Sequence, residues 1–258
     1  MTIGQSNIWR GMGAVLVGAA MCGPQAAAAA ALNLTDGDKI TLDWGAGTLG
    51  HTDYGGEFMA RGVAGSVLNG LGDSFITFCL EYNEHISLAP NQYYVKISTE
   101  AKSGGGVTDN SGELRPGVAG TKDPLSYATA WLYTQFRTGT LSGFDLDPTA
   151  ATSFFSFASN ADADSLQRAI WYIEDEKPSS GFILDPKAIL LKDRAIAAGW
   201  TSLHNVRVMN LYGDSAFTDG KQDQLYLIPV PEPETYAMLL AGLGLLGLAA
   251  RRRKSKSA

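Results

Sequence analysis

Two short segments carry the residue types most able to do chemistry. Phe78-Cys79-Leu80-Glu81 holds a thiol, and Leu166-Gln167-Arg168-Ala169-Ile170-Trp171 holds a carboxamide. Thiolate is the attacking form of cysteine. A carboxamide is inert unless held against a nucleophile in an oriented, dry site, where proximity removes about 7–11 kcal/mol of barrier. The chain has 2 Cys, and Cys22 falls in an N-terminal segment that reads as removable. Cys79 is then alone in the exported part and has no internal disulfide partner. A lone thiol in an oxidising compartment has four fates: a buried inert side chain, an intermolecular disulfide, a catalytic nucleophile, or a cross-link to another kind of side chain.

Other groups offer competing chemistry. His85 and His204 are the histidines a Cys/His hydrolase would need, but such a site requires the imidazole beside the thiol and oriented by a third group. Asp145-x-Asp147 and Asp162-x-Asp164 are short carboxylate pairs. Neither continues into an EF-hand loop with its glycine and terminal glutamate, so helix capping serves Asp162 or Asp164 at least as well. Glu174-Asp175-Glu176 reads as a solvated helix end. Trp44, Tyr54, Tyr82, Tyr93 and Tyr94 offer flat faces to a sugar, although aromatic residues on strands more often pack in cores. With 2 Cys and 3 His, a zinc ribbon is excluded, and no cofactor or metal is expected.

The elements that must position these groups follow from pattern. Lys39–Trp44, Glu57–Val63, Asp73–Tyr82 and Gln92–Ile97 alternate or are aromatic-rich, as strands are. Residues 102–123 contain Gly104-Gly105-Gly106 and Arg115-Pro116-Gly117 and read as a long loop. Helical spacing follows: a helix opening at Asp123-Pro124 and ending at Gly139, a second over Pro148–Ala158, a third capped by Asp162 or Asp164 with Leu166, Ala169, Ile170 and Ile173 on its buried stripe, and a fourth from Asp185-Pro186 to Gly199. Gln167 lies one position off that stripe, at the flank of the buried face, where it can reach a neighbouring strand. Strand patterning returns at Asn205–Tyr212 and Gln224–Ile228. Strands, then helices, then strands define an α+β fold, an antiparallel sheet or barrel with a helical insertion.

Both ends read as address labels. Residues 1–31 hold one charge, Arg10, then an apolar run from Met12 to Cys22 and the small-residue tract Ala26–Ala31, the order of a cleavable signal peptide. At the other end come Val230-Pro231-Glu232-Pro233-Glu234, then the uncharged stretch Tyr236–Ala250, then Arg251-Arg252-Arg253-Lys254. The stretch is at the short end of what crosses a bilayer, and the basic cluster would stay cytoplasmic. This tripartite tail resembles the PEP-CTERM sorting signal of Gram-negative bacteria. The resemblance implies a membrane-embedded exosortase that recognises the tail, transient anchoring by the apolar helix, and delivery to the cell surface or extracellular matrix. The expected organisation is signal 1–31, extracytoplasmic domain 32–229 and sorting tail 230–258. The middle segment carries 14 Lys and Arg against 24 Asp and Glu, a net of −10. That balance excludes a nucleic-acid partner, which would select a basic surface.

The two opening motifs together resemble the thioester domains of bacterial surface adhesins. There a hydrophobic-Cys-hydrophobic-acid/amide strand motif precedes a Gln-x-hydrophobic-hydrophobic-Trp motif on or near a helix. The resemblance implies an internal thioester between Cys79 and Gln167, formed with loss of ammonia and supported by Phe78, Glu81 and Trp171. It also implies covalent attachment to a nucleophile on a surface protein or polysaccharide, in a single use rather than enzymatic turnover. This chain departs from that pattern at Leu166, where threonine is common, and at Glu81, where asparagine or aspartate is common. The alternative reading is a non-covalent structural or carbohydrate-binding protein of the exopolysaccharide matrix.

Overall fold

The computed structural model describes residues 33–44, 57–64, 66, 74–82, 84–102, 123–143, 146–147, 156–157, 160–176, 183–229 and 242–243. The signal segment and nearly all of the sorting tail lie outside the described residues, as do Tyr54, Asp145 and most of 148–158 and 103–122. The described fold lies in one compact unit, Ala31–Tyr236. Among the described residues no helix is long and apolar enough to cross a membrane.

The first strands follow the alternation in the sequence. They are β1 (Lys39–Asp43), β2 (Phe58–Gly62), β3 (Ser74–Thr77) and β4 (Gln92–Ser98). In β1, Ile40 and Leu42 are buried between half-buried neighbours, the signature of a strand with one packed face. Two-residue β5 (Glu100–Ala101) and β6 (Asp123–Pro124) then pair with each other. Asp123-Pro124 is therefore a bridge rather than a helix start. Helix α1 (Tyr127–Arg137) opens three residues later, where the Ser126 side chain accepts from Thr129 N–H as N-cap.

Short β7 (Leu146–Asp147) and β8 (Ser156–Phe157) pair antiparallel, so the helix expected over Pro148–Ala158 has a strand at its C-terminal end. Helix α2 (Asn160–Ile173) starts before both Asp162 and Asp164, which lie inside it rather than capping it. Helix α3 (Pro186–Ala197) matches expectation: Asp185 caps it by accepting from Lys187 and Ala188 N–H, and Gly199 ends it at φ +64°. The chain closes with β9 (Val206–Tyr212) and β10 (Gly220–Leu227).

Six strands form one antiparallel sheet in the order β10-β9-β4-β1-β2-β3. At β9 and β10 both faces are buried, which explains the apolar run in Val206–Tyr212. One face carries Met59, Ile76, Val208 and Leu225 against the helical stripe of Leu132, Phe136, Leu166 and Ile170. The other packs Ile40, Leu42, Phe58, Phe75, Val95, Met209 and Tyr226 together with Cys79 and Trp171. The sheet is not a closed barrel. Its two edge strands meet at one place just past β3, where Cys79 and Gln224 form an antiparallel bridge. Leu80 N–H donates to Asp223 O (3.0 Å) and Leu225 N–H to Phe78 O (3.1 Å) across it.

Candidate functional site

The seam between the sheet edges is where the chemistry gathers. Alternation after β3 sends Phe78 toward the helices and Cys79 to the opposite face. Phe78 is fully buried with its ring edge-on to Phe136 at 5.1 Å, so it anchors the segment from the helical side. Cys79 is 1% exposed and unoxidised.

Gln167 reaches Cys79 across 88 residues, but it meets the main chain rather than the sulfur. Its Oε1 accepts from Cys79 N–H at 3.0 Å and its Nε2 donates to Cys79 O at 2.8 Å. This two-point clamp satisfies both backbone groups of a buried residue at an irregular strand end, where the ladder does not supply partners. The flank position of Gln167 on α2 is what lets it reach the strand. The resemblance assigned this carboxamide to the sulfur, and here both its polar atoms are engaged elsewhere.

Two other carboxamides face the thiol. The Cys79 Sγ–H donates to Gln222 Oε1 at 2.9 Å, and Gln224 Nε2 donates to Sγ at 3.4 Å. Gln222 Nε2 in turn donates to Glu81 O at 2.7 Å. Gln224 is fully buried, and its Oε1 has no hydrogen-bond partner among the described residues. Sequence reading passed over both glutamines because Gln222-Asp223-Gln224 lies in a strand with no motif attached. The one legible signal was two amides spaced two apart, hence on one face.

The electrostatics of the seam are those of a dry site. Burial pushes the Cys79 thiol up to about 12, opposed by the Gln224 hydrogen bond and reinforced by the nearby Glu81. Glu81 is 1% exposed, and burial together with the Asp223 charge pushes its carboxyl up to about 10, so it is neutral at pH 7. Its Oε2 accepts from Asp223 N–H at 2.9 Å, tying the cysteine strand to β10 between the two glutamines. Burial raises Asp223 to about 6 against the opposing pull of Lys102. Trp171 is 2% exposed and lies edge-on to Tyr82 at 5.0 Å, walling the cysteine's face from water.

The other candidates fall into place around this seam. His85 is exposed, and exposed His204 packs on Trp200 at 4.1 Å; neither hydrogen-bonds to Cys79. Glu174 and Glu176 are buried, not solvated. Glu174 accepts from the Ser126 hydroxyl at 2.7 Å and Glu176 from Tyr82 N–H at 3.2 Å, so the end of α2 pins α1 and the cysteine segment. Asp162 pairs with Lys187. Among the described residues, the carboxylates whose oxygens approach within 4.8 Å of one another are Glu81, Glu84 and Asp223, with the Lys102 ammonium against them. Of the aromatic residues, Tyr93 is buried with its hydroxyl bonded to Ser87, and Trp44 stacks on Phe58 at 4.8 Å; core packing uses both.

Comparison with known proteins adds the sorting signal. Residues 229–254 match the PEP-CTERM protein-sorting motif. The chain is thus an exported, surface-associated protein whose tail is a substrate for an exosortase, a membrane enzyme. Among solved structures it is similar to the N-terminal thioester domain of a surface protein from Clostridium perfringens, at 12% identity and a TM-score of 0.35, over 66% of this chain and 86% of that one. No curated protein matches the chain.

Proposed function

We propose that this surface protein attaches covalently through an internal thioester at Cys79, and that its acyl donor is Gln224. The observation that carries the reading is a buried thiol in hydrogen-bond contact with two carboxamides, in a site with little water. In the reaction the S–Cδ bond forms and the Cδ–Nε2 bond breaks. The thiol proton leaves with the amide nitrogen as ammonia. Gln224 stands opposite Cys79 at the bridge, and its amide nitrogen bonds only to the sulfur among the described contacts, so its departure breaks nothing else. Gln222 accepts the thiol proton's hydrogen bond and is anchored to Glu81, which suits it to orient the sulfur. Gln167 holds the cysteine main chain. A buried thiol near pKa 12 is a poor spontaneous nucleophile, so bond formation depends on this orientation.

The thioester stores its energy until an incoming amine or hydroxyl displaces the thiolate. The targets this implies are surface proteins or polysaccharides, reached by a protein shipped to the cell surface or its matrix. A Gram-negative host and attachment within a biofilm matrix belong to the same proposal. Turnover catalysis does not.

Methylamine tests it. The purified exported domain should be lighter than its Cys79→Ala variant by one ammonia, after correction for the substitution itself. Methylamine should add to it while exposing one alkylatable thiol, and peptide mapping should place the methylamide on Gln224. A methylamide on Gln222 or Gln167 would reassign the donor. No ammonia loss and a freely alkylated thiol would leave a non-covalent matrix or carbohydrate-binding role.

A further inference from the structure

The seam holds a second pair of groups that the thioester does not use. Lys102 follows β5, and Asp223 sits on β10 between the two glutamines, 121 residues away. Their contact is double: Lys102 N–H donates to Asp223 Oδ2 at 2.7 Å, and Lys102 Nζ donates to Oδ1 at 3.1 Å. The Asp223 side chain is wholly buried. Asn210 Nδ2 also donates to Oδ2 at 2.7 Å, and Leu211 N–H to Oδ1 at 3.3 Å. The ammonium is further held by Lys221 O at 2.6 Å, by Glu84 Oε2 at 3.6 Å and over the Tyr212 ring at 5.0 Å.

The geometry points to an intramolecular isopeptide bond between Lys102 Nζ and Asp223 Cγ, with Glu84 as the proton carrier. An amine is fixed against one oxygen of a carboxyl whose other oxygen is gripped by two N–H donors. That second oxygen is where charge collects when nitrogen adds to the carbon, so Lys102 N–H and Asn210 Nδ2 act as a built-in oxyanion hole. The balance closes without a co-reactant. The –NH3⁺ of Lys102 and the –COO⁻ of Asp223 yield one amide and one water. The N–Cγ bond forms, the Cγ–Oδ1 bond breaks, and two of the three ammonium protons leave on Oδ1. Glu84 accepts the first proton from nitrogen and delivers it to that oxygen. The remaining amide N–H keeps its bond to Lys221 O, and Oδ2 keeps both its donors.

Burial favours the neutral form of both partners, raising Asp223 to about 6, although the surrounding carboxylates raise Lys102 as well. Asp223 is thus moved toward its neutral acid while Lys102 stays an ammonium, and transfer of a nitrogen proton to Glu84 starts the reaction. Fixed contact replaces a bimolecular encounter and supplies an effective concentration on the order of 10⁵ M or more. The bond would tie the strand carrying Gln222 and Gln224 to the end of β5, in the separate two-stranded sheet. The exported domain has one cysteine and so has no disulfide to do this.

The test is built to stand whether or not the thioester forms. In the full exported domain carrying Cys79→Ala, ammonia loss at the cysteine is absent. Its intact mass should be one water below the calculated value. Protease digestion should yield a branched peptide joining the Lys102 and Asp223 segments, and Lys102→Arg should restore full mass. If Lys102→Arg does not fold, amine acetylation of the denatured Cys79→Ala protein gives the same answer, since a linked Lys102 stays unacetylated. Glu84→Gln should slow formation by about 100-fold. Full mass together with an acetylated Lys102 overturns the inference and leaves the pair a buried salt bridge.

Discussion

Removing the Gln167 carboxamide is the sharpest perturbation of the seam. Gln167→Ala deletes two hydrogen bonds and leaves Cys79 N–H and C=O without them in a region closed to water. Each buried group left unsatisfied costs about 1–3 kcal/mol, so the pair predicts a loss of roughly 2–6 kcal/mol. For a domain of this size each kcal/mol lowers Tm by about 2–4 °C, so a fall of roughly 4–24 °C is expected in a melt followed by circular dichroism. Gln167→Glu separates the two bonds. The ionised carboxylate can still accept from Cys79 N–H but opposes Cys79 O, whereas the protonated acid donates to it as the amide does. Native packing therefore holds the introduced carboxyl's pKa above the ordinary carboxylate value near 4.3. The sign follows from linkage: the variant matches wild type below that value and loses stability as pH rises above it. Urea unfolding at pH 4, 6 and 8 measures this. A Gln167→Ala loss under about 0.5 kcal/mol, the range of surface substitutions, would refute the clamp. So would a Gln167→Glu variant whose deficit does not change with pH.

Two further outcomes follow from the same hydrogen-bond network. Glu81 is neutral in the folded protein up to about pH 10 and ionised in the unfolded chain above its ordinary 4.5. Folding thus binds a proton between these values, and wild-type stability falls as pH rises through them. Glu81→Gln keeps an acceptor for Asp223 N–H without that penalty, so it should gain stability over wild type at pH 8 and show no advantage at pH 4 in urea melts; an equal difference at both would count against a neutral Glu81. Ser126→Ala removes the N-cap of α1 and the hydroxyl donor to buried Glu174. A loss of roughly 2–3 kcal/mol in the same assay is expected from cap and hydrogen bond together, and a loss within 0.5 kcal/mol would show that α1 does not depend on this contact.

Much of the scaffold was legible because it is local. Alternation in Lys39–Asp43 and Gln92–Ser98 reflects a strand whose neighbours face opposite ways, and Asp185-Pro186 marks a helix start because both residues act within one turn. Pro124 misled for the opposite reason. Its helix-opening geometry equally suits a bridge to Glu100, and only the partner strand chooses between them. The acidic run Glu174–Glu176 looked solvated because burial of a carboxylate depends on donors, here Ser126 and Tyr82 N–H, that are distant in sequence.

The sequence by itself determined that the protein is exported, that its tail carries a sorting signal, and that its working domain has one thiol with no disulfide partner. These are properties of order and composition along the chain. Which carboxamide meets that sulfur was decided by the sheet. Its edges β3 and β10 come together across Cys79 and Gln224, placing Gln222 and Gln224 at the thiol and leaving Gln167 to grip the main chain. Lys102 reaches Asp223 because β5, outside the six-stranded sheet, packs on β9, the neighbour of β10. Contacts between residues a hundred positions apart are set by which strands pair, and pairing is a property of the whole folded core.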